Sequence, residues 1–194
     1  MLIMNKCYPY LKFQGNGFFI EAGALDGEQG SNSLSLEKDL GWSGLLAEGD
    51  PSNIKKIKYE ETLLQHDNFI GFLDITNFLL FLPRPKNRKS FLLPHCLSLS
   101  RQTMHVTYRQ AFNLGKVVRP YDDSDDNIAK RGRFTNVVCF PLFGVLRALN
   151  VTKVDYFSLD VEGNEMDVLR TIPFDDIDIT VKYQIVQMSL QTLP

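Results

Sequence analysis

The residues best placed to do chemistry in this chain are acidic, and they stand at the ends of short apolar runs. Phe18-Phe-Ile20 runs into Glu21-Ala-Gly-Ala-Leu-Asp-Gly27, a turn that holds Glu21 and Asp26 and that Gly23 and Gly27 make adaptable. Glu48 closes the apolar run Gly44-Leu-Leu-Ala47 and follows Gly27 by 48 − 27 = 21 residues. A nucleotide-binding βαβ unit places a ribose-binding carboxylate at about that distance, so a ribose is the expected neighbour of Glu48; the alternative is a surface carboxylate.

The turn departs from the dinucleotide fingerprint Gly-x-Gly-x-x-Gly. Acidic Glu21 takes the first glycine position, where it would repel a pyrophosphate. A ligand with a cationic amino end, a ribose and no phosphate suits such a turn, and S-adenosylmethionine has all three properties. Asp160 and Glu162 follow a third apolar run, Val154-Asp-Tyr-Phe-Ser-Leu159. A carboxylate within reach of an acceptor hydroxyl can take its proton as a methyl group transfers, and the same acids can equally serve as caps at a helix start.

These groups converge only if strands carry them to one edge. The strand from Phe18 is followed by a helix over Ser31–Leu40, where Leu36 and Leu40 share a face and Gly41 ends the pattern. A strand ends on Glu48, and Pro51 opens a helix running from Ser52 to about Thr62. Phe91–Leu99 reads as a third strand with Pro94 at or before its start, because proline cannot donate to a central ladder. Val137–Phe140 is a further strand, and Pro141–Asn150 is a helix with Leu142, Val145, Leu146 and Leu149 at helical spacing. After the strand ending at Asp160 comes a helix with Met166, Val168 and Leu169 as its apolar positions, then a last strand over Ile177–Met188. Alternating strands and helices with apolar strands indicate a parallel sheet covered on both faces, whose ligands bind beyond the carboxyl ends of the strands where strand order reverses.

The remaining stretches are less regular. Asn68–Arg88 mixes an apolar run with Pro83 and Pro85, and the basic cluster Lys86-Asn-Arg-Lys89 reads as a solvated connector. Residues 100–136 are polar and include Asp122-Asp-Ser-Asp-Asp126, which reads as a surface loop.

Composition narrows the partners. With 21 basic and 23 acidic side chains, the net charge of −2 offers no field for nucleic acid or an anionic membrane. No run approaches the roughly 18 apolar residues of a membrane span. Phe69–Leu82 comes nearest, but Asp74 and Asn77 break it, so it reads as a buried or partly buried helix; the first 13 residues lack the features of a secretory signal. Cys7, Cys96 and Cys139 are odd in number and widely spaced, which argues against a zinc knuckle or a disulfide scaffold and makes Cys96 and Cys139 small buried groups. His66, His95 and His105 have no ligand spacing, so no metal is expected. Asn150-Val-Thr152 is a glycosylation sequon that would be used only if exposed and in a secretory compartment.

Three stretches together resemble the FkbM-type methyltransferases: Phe18–Gly27 with Ser31-Asn32 and Leu36-Glu37-Lys38 behind it, Trp42–Pro51, and Val154–Glu165. The likeness spans Gly17 to about Thr180, excluding Phe69–Lys86. It implies a Rossmann-like α/β fold, with a doubly wound, mostly parallel sheet, and S-adenosylmethionine-dependent O-methylation of a small-molecule or glycan-like hydroxyl. Carried over, it makes Glu21, Gly23 and Gly27, with Asp26 and Asn32 of the same stretch, the cradle for the methionine part. Glu48 becomes the ribose ligand, with Asp50 and Pro51 completing its turn. Leu97 and Ser98 fall beside the adenine, and Asp160 and Glu162 fall on the acceptor side as candidate catalytic bases.

The wording of Cys139-Phe-Pro-Leu142 and Asp155–Asp160 is similar to the animal branch of the family, which includes proteins like insect Star, a membrane-anchored trafficking factor. That implies an alternative: a non-enzymatic endomembrane module for vesicle-mediated transport, with a membrane-protein client in the endoplasmic reticulum, Golgi or endosome rather than a cytoplasmic enzyme. A nucleotide dehydrogenase fits poorly, because its phosphate turn is missing. Residues 1–16 read as an extension and 17–194 as one domain, with an irregular insert around 68–90 and the polar loop 100–136. Family members continue with two more strands after the fifth, whereas this sequence ends six residues after Met188, so the domain is expected to lack its last strands.

Overall fold

The computed structural model describes residues 15–57, 85, 87–119 and 132–184. In chain order its strands are β1 (Phe18–Ala22), β2 (Ser43–Ala47), β3 (Phe91–Leu93), β4 (Cys96–Leu97), β5 (Met104–Gln110), β6 (Lys116–Val117), β7 (Arg133–Phe140), β8 (Lys153–Leu159) and β9 (Asp178–Gln184). Its α-helices are α1 (Leu34–Leu40), α2 (Pro51–Ile54), α3 (Leu142–Ala148) and α4 (Glu165–Thr171).

The main sheet has the order β3-β2-β1-β8-β9, and every neighbouring pair in it is parallel. The chain moves outward from β1 to β3 and then returns on the other side of β1, so strand order reverses between β1 and β8. At that reversal the loops leaving the two strands diverge and open a crevice.

Successive side chains on a strand point to opposite faces, and the core divides accordingly. Phe19, Leu46, Leu92 and Tyr156 pack with Leu36, Trp42 and Ile57 in one cluster. Ile20, Leu45 and Phe157 pack with Leu142, Val145, Leu146 and Val168 in the other. Helix α1 therefore covers one face, while α3 and α4 cover the other. Helix α1 ends at Gly41 as its sequence predicts, with the Gly41 N–H bonded to the Glu37 carbonyl and the Trp42 N–H to that of Leu36.

Several expectations are corrected. The third strand is two strands in different sheets: Phe91–Leu93 pairs with β2, whereas Cys96–Leu97 pairs with β7. Pro94 lies between them, where its missing N–H ends the first ladder.

The polar stretch 100–136 is no simple loop, because β5 and β7 pair antiparallel in register from Met104↔Cys139 to Gln110↔Arg133. With β4 and β6 they form a second sheet of order β4-β7-β5-β6. Its signal is a two-residue alternation in which Val106 and Tyr108 pack inward while His105 and Thr107 are exposed.

Cys96 and Cys139 are not separate thiols. They sit opposite one another in the β4–β7 register, with Cα atoms 4.4 Å apart, and form a disulfide across 43 residues of chain. Met166 is 52% exposed, so it does not belong to the apolar stripe of α4. Within the described residues the helix after Pro51 is the single turn 51–54, and the last strand is β9. Residues 58–62, Phe69–Leu82, the acidic run 122–126, Cys7 and His66 lie outside the described residues. Among the described residues no helix is long and apolar enough to cross a membrane.

Candidate functional site

A cavity of about 310 Å³ opens beyond the carboxyl ends of β1, β2 and β8, at the reversal of strand order. Glu21, Gly23, Asn32, Glu48 and Leu97 line it, and so do Asp160 and Glu162. Asp26, Gly27, Asp50 and Ser98 do not.

Glu21 is buried, and its carboxylate accepts the Ser31 hydroxyl at 2.7 Å, the Asn32 N–H at 2.6 Å and the Ser33 hydroxyl. A carboxylate has about four acceptor positions, so three are spent holding the loop before α1 and about one is left for a ligand. Asn32 is fixed in turn by donating its side-chain amide to the Ser158 hydroxyl at 3.1 Å.

Glu48 ties two turns together: Oε2 accepts the Leu25 N–H at 2.7 Å and Oε1 the Asp50 N–H at 2.8 Å. Burial pushes its carboxyl up to about 7, against the lowering effect of those two bonds. A carboxyl that binds its proton more tightly folded than unfolded stabilises the fold most at low pH, and that stability is lost as pH rises through the folded value. Moving from 4.5 to about 7 corresponds to about 3 kcal/mol. The melting temperature of the unliganded protein is therefore expected to fall between pH 5 and pH 8, and to fall less steeply in Glu48→Gln. Thermal unfolding monitored by circular dichroism at the two pH values checks this.

The residues absent from the cavity have local work. Asp26 accepts the Glu28 and Gln29 N–H groups at 3.0 and 2.7 Å, shaping its own turn, and faces a separate hollow of about 190 Å³. Asp50 caps α2 through the Ser52 N–H at 2.7 Å. Ser98 is fully buried and donates to the Gln102 carbonyl at 2.6 Å, so of the pair expected beside an adenine only Leu97 reaches the cavity. Gly27 offers its carbonyl to Arg88.

Asp160 extends the sheet by donating its N–H to the Ala22 carbonyl at 3.0 Å. Burial, then the charge of Glu165, raises its carboxyl to about 6. Glu162 is raised to about 7, by burial first and then by the charges of Asp160 and Glu165. The cap position of α4 belongs to Asn164 rather than to either acid. Glu165 holds the approach to that helix by accepting the Val161 and Gly163 N–H groups at 2.9 and 3.1 Å.

Sequence reasoning missed two groups. Arg88 lies in the basic cluster 86–89, which its sequence marks as a solvated connector, yet it is buried, 3.1 Å from the Glu37 carboxylate, and donates to the Gly27 carbonyl and the Ser31 and Ser33 hydroxyls. Nothing local marks it, because its partners are 51 to 61 positions away. The second sheet supplies the far wall through Tyr108 and Lys116, with Phe112 from the turn that joins β5 to β6. The two-residue alternation through Tyr108 was the available signal for that wall.

Four carboxylates and a single lysine therefore share the described wall, an arrangement that favours a positively charged ligand and opposes a phosphate. The cavity also falls at the lower end of the size range of small-molecule sites. Among the described residues no cluster of His, Cys, Asp and Glu could hold a metal ion. No curated protein and no solved structure matches the chain. A family model described as the methyltransferase FkbM domain matches residues 21–193, nearly the whole chain, and the parallel sheet and its crevice agree with that match. The chain belongs to the FkbM methyltransferase domain family.

Proposed function

We propose that the cavity holds S-adenosylmethionine and that the protein transfers its methyl group to a hydroxyl oxygen of a small-molecule or glycan-like acceptor, on a doubly wound Rossmann-like sheet. The family generally depends on this cofactor. The observation that carries the reading is the convergence of Glu21, Glu48 and Asp160, from the ends of three adjacent strands, on one hollow.

The residues fit such a ligand. Glu48 is a buried acceptor suited to ribose hydroxyls, and Glu21 adds negative charge near the position for an amine. Gly23 lets the backbone pass without a side chain in the way. When bound, S-adenosylmethionine supplies a methyl group already activated by its positive sulfur. The chain's own contribution is then mainly positioning, with Glu162 or Asp160 taking the acceptor's proton. A carboxyl near 7, half-buried at the cavity wall, exchanges that proton readily at neutral pH.

Calorimetry with S-adenosylmethionine and its demethylated product tests the assignment. Saturable heat is expected, with affinity about 100-fold weaker in Glu48→Gln, corresponding to the loss of a charged hydrogen-bond acceptor of about 2–3 kcal/mol. Absence of saturable heat from a cooperatively folded sample would overturn it. A non-enzymatic module that retains the fold would instead bind its client equally well with and without Glu48.

The pH dependence supplies a further check. The cationic ligand favours ionised Glu48, so binding expels the proton held near pH 7. Affinity is expected to rise about fivefold from pH 6 to pH 7 and about tenfold by pH 8, where it levels off. A flat profile measured in the same titrations would count against Glu48 as the ligand.

A further inference from the structure

We propose that Asn150 is an N-glycosylation site and that the protein folds in the oxidising lumen where that modification is made. Two independent observations meet in this inference. The first is Asn150-Val-Thr152, the one Asn-x-Ser/Thr sequon of the sequence, whose Asn150 and Thr152 are both exposed in the turn between α3 and β8. The second is the Cys96–Cys139 disulfide, a bond that persists in oxidising compartments and is rare where thiols are kept reduced.

The local geometry suits the reaction. Asn150 ends the helical turn in a left-handed conformation, with φ +56°, and its backbone N–H is bonded to the Arg147 carbonyl. Among the described residues its side-chain amide has no hydrogen-bond partner. That nitrogen attacks the anomeric carbon of an oligosaccharide carried on a lipid pyrophosphate. A C–N bond forms, the C–O bond to the pyrophosphate breaks, the lipid pyrophosphate leaves with the bonding pair, and the amide proton passes to a base of the transferase.

The position also spares the cavity. Asn150 precedes β8 at Lys153, whereas the cavity begins at Ser158 near the strand's other end. Five residues of strand at about 3.3 Å each separate the two, roughly 17 Å. No residue of the sequon lines the cavity.

The test uses the protein isolated from its own cells and treated with peptide-N-glycosidase. A loss of mass is expected, absent from Asn150→Gln and from Thr152→Ala but retained in Thr152→Ser. Because Gln is less at ease than Asn in the left-handed turn, Thr152→Ala is the variant that leaves the backbone undisturbed. Alkylation should label Cys96 and Cys139 only after reduction. An unchanged mass on glycosidase treatment, or a shift that survives Asn150→Gln, would overturn the proposal, and so would thiols at 96 and 139 that label without reduction.

Discussion

Gly23→Ala is expected to destabilise the protein by about 4 kcal/mol, a large fraction of the roughly 5–15 kcal/mol that holds an ordinary domain folded. Gly23 has φ +86°, and a Cβ built there would lie 2.1 Å from the carbonyl oxygen of Asp160. That oxygen cannot step aside, because Asp160 is held to β1 by its N–H bond to the Ala22 carbonyl, while the Gly23 N–H is itself bonded to the Ala47 carbonyl. The three strand ends that carry the acidic groups thus meet at this one glycine.

Gly30→Ala is the matched control. Gly30 has φ +71°, but nothing lies within 4 Å of the added carbon, so only the conformational cost of about 1 kcal/mol applies. Urea unfolding of both variants separates clash from strain. Equal losses in the two would show that the approach of Gly23 to Asp160 does not matter.

Arg88→Met is expected to cost about 3–5 kcal/mol, because it leaves the Glu37 carboxylate buried without its cation. Glu37 keeps the Lys89 N–H and the Ser90 hydroxyl, which soften the loss without replacing a charge. The same substitution frees the Gly27 carbonyl and the Ser31 and Ser33 hydroxyls, which Arg88 clamps around the loop that Glu21 also holds. Weaker binding at the cavity should therefore accompany the lost stability. Adding Glu37→Leu should recover much of the stability, since a buried pair replaced as a whole costs far less than one broken in half. Denaturant titrations of the two single variants and the double variant measure this coupling, and strictly additive losses would exclude it.

The physical origin of each element decides how much of it the sequence revealed. β1, β2 and β8 are short apolar runs bounded by Gly, Pro or acidic turns, and such signals reside within ten residues of chain. The same is true of α1 and its stop at Gly41. Of the second sheet only Val137–Phe140, the buried end of β7, reads as a strand in the sequence; β5 and the first half of β7 are half-exposed and polar, so their pairing gives no local signal of a buried strand. They become a sheet only by pairing with each other across the intervening chain. The disulfide had the same fate, since spacing in sequence says nothing about which strands will lie side by side.

The site divides along the same line. By itself the sequence determined that Glu21, Glu48 and Asp160 stand at the carboxyl ends of strands, because apolar runs and turn residues mark where each strand stops. Only the tertiary structure decided which of their neighbours turn inward: Asn32 and Leu97 face the cavity, while Asp26, Asp50 and Ser98 bond to nearby backbone instead. It alone also brought Arg88 and Tyr108 to the loop and the wall. A strand end is a local property of the chain, whereas the direction of a loop side chain is set by whichever distant donor, acceptor or charge the fold places beside it.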